Sequence, residues 1–263
     1  TSEIQRLSTF HVLVETYEEI AATRMRRVRA SVLQSRDFIS ELSSIFAELK
    51  SSYRHQVADL IKHKKQPKSG ATFRQHNQKT VALLLSANTG LYGGILQTTI
   101  SAFTNYITTN ECDVAIVGRY AKTVFENTNP GKPYTFFDFP ERSLTPDDMK
   151  EILSKILTYS NIYVFHGKFI SIVKQEPTMD TISAEQIEIT ETGKKGIKYF
   201  FEPSLEEILA FFEEEIFSAL FEQSVHESEL AMYASRMVTL DKATQNIRDR
   251  VKKVDMMRRL IHH

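Results

Sequence analysis

The stretch from Glu229 to His263 constrains this chain more than any other. Counting from Leu230 in alternating steps of three and four reaches Tyr233, Met237, Leu240, Thr244, Ile247, Val251, Val254, Arg258 and Ile261, eight of the ten apolar. Apolar residues that recur at 3.5 per turn make a stripe drifting round a straight helix, and burying it calls for supercoiling with a partner helix. No proline or glycine interrupts these residues, so the rod runs unbroken for roughly 50 Å at 1.5 Å per residue. A long helix with one apolar seam requires a second long helix.

The other end of the chain supplies one. Residues 1–61 also lack proline and glycine, and Leu7, Phe10, Val14, Tyr17, Ala21, Met25, Val28 and Val32 form a second seam, continued by Ile39, Leu42, Phe46 and Leu49. The expectation is an antiparallel coiled coil of residues 1–61 and 203–263, with everything between them forming a separate body. The alternative is two helices of an ordinary bundle. Globular helices average about 11–12 residues, which favours the rod. Residues 62–79 are basic and polar with Pro67 and Gly70, and read as an exposed linker.

Between 80 and 202 the pattern alternates. Val81–Leu85 and Val114–Val117 are short apolar runs, and Tyr134–Phe137 suits an edge strand. Ile162–Phe165, Phe169–Lys174, Ile182–Ile189 and Ile197–Phe201 are further strand candidates. A helix opens at Gly94 or Ile95 and runs through Ile100, Phe103 and Ile107; another starts at Pro146 after Thr145. Such alternation predicts a mostly parallel sheet with helices.

Local chemistry points away from catalysis. The loop Gly90-Leu91-Tyr92-Gly93-Gly94 joins a strand to a helix, but it lacks the G-x-G-x-x-G order and no Lys-Ser or Lys-Thr follows as a P-loop needs. The eight histidines show no metal-ligand spacing, and Cys112 is the one cysteine, which excludes an intrachain disulfide and suits a reducing compartment. No G-x-S-x-G elbow occurs. The acidic run Glu213-Glu214-Glu215 reads as a solvated helix face. Lys and Arg total 33 against 33 Asp and Glu, so no overall field attracts nucleic acid. No run of about eighteen apolar residues exists to span a bilayer. What remains is mechanical: a rod, a globular body at its base, and Arg24, Arg26, Arg27 and Arg29 crowded on the first helix.

Four stretches make the sequence resemble the gamma subunits of F-type ATP synthases. Glu19 to Arg27 (EIAATRMRR) is similar to that family's M-V-A-A-S-K-M-R-K run, and Ser86 to Gly94 (SANTGLYGG) to its S-D-R-G-L-C-G-G loop. Tyr163 to Phe169 (YVFHGKF), with Gln175 and Pro177, resembles V-Y-N-K-F…Q-x-P, and Arg236 to Asn246 (RMVTLDKATQN) resembles R-M-x-A-M-D-x-A-T-x-N. The matches keep their order along almost the whole chain. Departures are Ala87-Asn88 for the loop's Asp-Arg, Tyr92 for its cysteine, Val12–Tyr17 where the family is basic, and Ala231-Met232 for Ser-Glu. His262-His263 stands about where an Arg-Gln pair begins the family's final axle turns.

The resemblance implies an α/β fold with a central Rossmann-like domain (residues 80–202) as foot and the terminal helices as axle. It implies a central-stalk rotor that couples proton flow through a membrane ring to ATP synthesis or hydrolysis in an alpha/beta hexamer. The alternatives are a gamma-like rotor of a hydrolysis-only ATPase and a coiled-coil adaptor. No catalytic, cofactor or metal residue is expected in this chain, since ATP, ADP and Mg would be held by partner subunits. The implied partners are three alpha and three beta subunits, an epsilon-type subunit and the c-ring. Arg24, Met25, Arg26, Arg27, Arg236, Met237, Leu240 and Asn246 are the candidates for contact with the hexamer. Gly90, Leu91, Gly93 and Gly94 are the candidates that shape the foot loop. The location implied is the cytoplasmic face of a bacterial plasma membrane, ahead of the matrix side of the mitochondrial inner membrane.

Overall fold

A computed structural model describes residues 2–53, 77–138, 145–182 and 204–261. Two helices dominate it: α1 (Ser2–Ser52) and the last helix (Leu205–Ile261). Between them come β1 (Thr80–Leu85), α2 (Ile95–Thr109), β2 (Asp113–Val117), α3 (Arg119–Thr128), β3 (Thr135–Phe137), α4 (Pro146–Ile156), β4 (Asn161–Phe169) and β5 (Gln175–Ile182), so the last helix is α5. Linker residues 62–76 and strand candidates 183–189 and 197–201 lie outside the described residues.

The two long helices run antiparallel. Glu3 pairs with Arg250 at 3.8 Å, Glu15 with Arg248 at 3.1 Å, and Arg36 with Glu227. Where α1 ends and the last helix begins, Phe46 and Leu49 pack with Leu209 and Ile216. Ser204 caps α5 by accepting the Glu207 N–H at 3.2 Å. On α1 the less exposed positions include 4, 7, 11, 14, 18, 21, 25, 28, 32, 35, 39, 42, 46 and 49, an unbroken alternation of three and four, with 22, 31, 43, 47 and 50 flanking it. The expected seam is therefore present, with one correction. Phe10 (60% exposed) and Tyr17 (44%) lie outside it, and His11 and Glu18 take their places. A count that follows apolarity alone selects the greasy neighbour over the polar residue in register.

The sheet order is β3-β2-β1-β4-β5, with β5 alone antiparallel. Side chains alternate across a strand, and β1 shows the result. Val81, Leu83 and Leu85 face a core built with Met149, Ile152 and Ile156 of α4 and Phe217, Phe221 and Val225 of α5. Ala82 and Leu84 face Ile100, Phe103 and Ile107 of α2 and Phe125 of α3. A strand covered on both faces reads as the continuous apolar run VALLL of Val81–Leu85. The helix α5 therefore serves twice: its first half is one layer of the sheet's core, and its whole length is the rod. Thr145 caps α4 in a reciprocal capping box with Asp148, with Pro146 at the first turn.

Three smaller expectations change. Ile162–Phe165 and Phe169–Lys174 are not separate strands, because β4 runs through Gly167 to Phe169 and residues 170–174 form the turn into β5. Helix α3 follows Gly118, where no helix was expected. Glu213 is not part of a solvated face: it is fully buried, near Lys50, whose pKa burial pushes down against the opposing pull of Glu213.

Candidate functional site

In doubly wound sheets the ligand crevice opens beyond the carboxyl ends of the strands, where the strand order reverses. Here that place follows β1, and α5 fills it. Ala231 and Met232 pack there with Ala87, Ile95 and Leu96. Gly167 of β4 allows the approach, since a Cβ on it would lie 2.7 Å from Ile95 and 3.2 Å from Ala231. Gly93 does the same for the loop. Its φ is +64°, and a Cβ there would meet Ser235 Oγ at 2.5 Å and Thr239 Oγ1 at 2.7 Å. The glycine-rich loop thus presses its backbone onto the rod.

The rest of the loop divides by role. Gly90 abuts the Tyr120 ring, while Gly94 has open space around it and an ordinary φ of −75°. Leu91 is 66% exposed. Asn88 Oδ1 accepts the Arg119 N–H at 2.9 Å and so tethers the loop to α3.

The candidate contact residues separate into two groups. Arg26 and Arg27 point outward from α1, and Arg27 lines a surface groove with Thr16, Glu19, Ile20, Thr23 and Arg24. Asn246 is exposed on α5. Met25, Met237 and Leu240 are partly buried instead, Met25 beside Val28, Val32, Leu230 and Tyr233. They are seam residues.

Arg24 and Arg236 sit where rod and loop meet. Arg24 donates to the Tyr233 hydroxyl at 3.4 Å, and that hydrogen bond with the attraction of Glu229 raises its pKa further. The Arg236 guanidinium carbon lies 5.3 Å from the Tyr17 ring centre and 5.4 Å from that of Tyr92. A cavity of about 300 Å³ opens beside them, lined by Tyr17, Ile20, Arg24, Asn88, Thr89 and Leu91 among others. Sequence reasoning flagged both arginines but none of the three tyrosines. Tyr17 and Tyr233 had been assigned to seams, and Tyr92 is brought to them by a contact no local pattern encodes.

Two polar clusters look chemical. Ser224, Asp180 and His166 lie together, His166 Nε2 2.8 Å and Ser224 Oγ 3.5 Å from the same Asp180 oxygen. The carboxylate stands between serine and imidazole and the imidazole is fully buried, so the imidazole does not face the hydroxyl as a nucleophile's base would. Burial opposes the charged form of Asp180, but His166 and Lys168 hold its pKa down. The second cluster is Glu222, His226 and Glu229 on α5. Burial lowers the His226 pKa, the two carboxylates outweigh it, and the result is about 9. Among the described residues no group of three acidic, histidine or cysteine side chains could hold a metal ion, and no helix is long and apolar enough to cross a membrane.

Fold and site define a stalk-type subunit, in which two antiparallel helices carry an α/β body whose ligand crevice is filled by one of them. The sequence profile of the ATP synthase family matches residues 2–259. An ATP synthase gamma chain of Pelotomaculum thermopropionicum is 20% identical over 261 residues, covering 96% of this chain and 88% of that one. The gamma chain of Xanthobacter autotrophicus is 24% identical over 253 residues, covering 92% and 84%. The fold is similar to the Tetrahymena thermophila mitochondrial ATP synthase central stalk/c-ring structure, with TM-score 0.64, 14% identity and coverage of 88% and 99%. It is also similar to the rotor of the Euglena gracilis mitochondrial ATP synthase, with TM-score 0.52, 14% identity and coverage of 92% and 98%. The chain belongs to the ATP synthase family, among its gamma chains. It is a rotor subunit and not a catalyst.

Proposed function

We propose that α1 and α5 supercoil as a left-handed coiled coil and turn as the axle inside a hexamer of three alpha and three beta subunits. The alternation of three and four along both seams supports the supercoil. The domain division proposed is 1–61 and 203–263 for the axle, 62–79 for the linker and 80–202 for the foot. The foot would rest on the c-ring with an epsilon-type subunit, at the cytoplasmic face of a bacterial plasma membrane. Nucleotide and Mg would stay in the partner subunits, a reading supported by α5 filling the crevice where a sheet of this order takes a ligand.

The observation that carries the proposal is the double use of α5. One continuous helix is both a layer of the foot's core, through Phe217, Phe221 and Val225, and the length of the rod. Rotation applied to the foot therefore passes into the rod without a hinge. One subunit can bias three sites only by contacting their conformers differently. Here Arg26, Arg27 and Arg29 make one exposed stretch of α1 basic, while Phe10, Leu13 and Ile20 make another apolar. The basic stretch would meet acidic loops of beta.

Purification of the native complex tests this. An alpha/beta hexamer together with a proton ring is the expected result. A hexamer without a ring would identify a hydrolysis-only motor, and neither would identify a coiled-coil adaptor.

A further inference from the structure

The foot holds the two helices of the rod by different means. It holds α5 through its own core, with Phe217, Phe221 and Val225 inserted below the sheet and Ala231 seated on Gly167. It reaches α1 through aromatic rings. Phe169, at the end of β4, packs against the cluster of Val28 and Val32 with Leu230 and Tyr233, and Tyr92 projects from the loop after β1 onto the same cluster.

Around Tyr92 the side chains of three elements interleave. The Arg236 guanidinium of α5 lies 5.3 Å from the Tyr17 ring of α1 and 5.4 Å from the Tyr92 ring. Tyr92 meets the Tyr233 ring edge-on, centroids 6.1 Å apart at 67°. Tyr233 in turn accepts from Arg24 of α1, whose guanidinium carbon is 5.9 Å from the ring. The stack therefore begins and ends on α1 and has Tyr92 at its centre. Gly93 fixes that centre by laying the loop backbone against Ser235 and Thr239. A guanidinium near two rings is attracted by both, and these contacts resist rotation of α1 about its axis, because Tyr17 and Arg24 lie seven residues apart on one side of the helix and turning it would carry both off their partners.

We propose that Tyr92 is a positioning residue that bolts α1 to the α5–foot body and fixes its rotational setting, so that both helices of the axle turn together. The proposal rests on the rotor reading. It is tested in the whole ATP synthase reconstituted in vesicles, with Tyr92→Ala and Tyr92→Phe compared with wild type. Two quantities are measured: protons pumped per ATP hydrolysed, and amide hydrogen exchange of residues 17–32 and 217–235.

In Tyr92→Ala the proton yield per ATP should fall by about threefold, because α1 slips while α5 keeps turning. Exchange in residues 17–32 should rise by about tenfold with residues 217–235 unchanged. Tyr92→Phe keeps the ring and should stay within about twofold of wild type on both readouts. Wild-type proton yield and exchange in Tyr92→Ala would overturn the bolt. So would equal loss of protection in both segments, which would make Tyr92 a general stability residue. If wild type itself pumps no protons, the rotor reading fails, and the exchange comparison still judges the bolt.

Discussion

The charge cluster on α5 makes stability depend on pH in a direction the structure fixes. Glu229 is 1% exposed and neither of its carboxylate oxygens has a hydrogen-bond partner among the described residues. Its compensation is His226, whose Nδ1 lies 3.8 Å away, an ion pair rather than a hydrogen bond, together with the attraction of Arg24. His226 Nε2 lies 3.4 Å from Glu222. Burial alone would lower the His226 pKa, but the carboxylates raise it from 6.5 to about 9. A group whose pKa rises on folding adds stability that is fully present below its unfolded value and is lost as pH climbs through its folded value. The window is therefore pH 6.5 to 9. The rise has a ceiling of ~3 kcal/mol. Glu222 is half exposed (48%) and water screens that arm, which leaves about 1–2 kcal/mol. In urea unfolding of the isolated subunit the midpoint should fall by about 0.5 M between pH 6.5 and 9 at an m-value of ~3 kcal/mol/M. His226→Gln should be less stable at pH 6.5 by about the same 1–2 kcal/mol and lack that part of the fall. Because other groups titrate in both proteins, the difference between the curves is the measure. Parallel curves across the window would refute the assignment.

Other perturbations test the packing. Phe46→Ala should cost about 3–5 kcal/mol, since the ring is fully buried between α1 and α5; denaturant midpoints would measure it. Gly118→Ala should cost about 2 kcal/mol or more, because φ is +100° and the new Cβ would stand 2.7 Å from the Ala87 carbonyl oxygen. Gly94→Ala, at φ −75° with open space, should stay within about 1 kcal/mol of wild type, and equal losses at the two glycines would contradict the argument. Met237→Asp or Leu240→Asp would place a carboxylate in the partly buried seam and should uncouple or disassemble the complex; unchanged proton-coupled ATP synthesis would count against the axle.

The seams were legible because a period of 3.5 over several heptads is a strong signal, and β1 and β2 because a strand buried on both faces must be apolar throughout. Helix α3 was missed because it is only ten residues long, and its apolar face of Tyr120, Ala121, Val124 and Phe125 spans little more than one turn. The break placed inside β4 falls on His166-Gly167-Lys168, where the apolar run is interrupted. The glycine is there so that Ile95 and Ala231 can approach, a reason that exists only in three dimensions. Glu213 was misread because an acidic triplet is soluble by default, and its neighbour Lys50 lies far away in sequence. The site followed the same division. Arginine positions could be read from the chain, but the rings that hold Arg24 and Arg236 come from three separate elements.

Burial along the rod is graded, and the grade bears on how it works. Near the foot the α1 seam is fully buried at Val28, Val32, Phe46 and Leu49, whereas at the other end Leu7, His11 and Val14 are only partly covered. That far end also exposes Phe10, Val12, Leu13, Met256, Met257 and Leu260, each about half exposed or more. Local stability follows buried apolar contact, so the far end of the isolated rod should open first and the end at the foot last. A surrounding sleeve that covered those side chains would stabilise the end that the seam stabilises least. Amide exchange in residues 4–16 and 248–260 should therefore slow by at least about tenfold when the subunit is assembled, while residues 28–49, already buried, should change little. Equal slowing along the whole rod would mean that the seam, and not the sleeve, sets the stability of its far end.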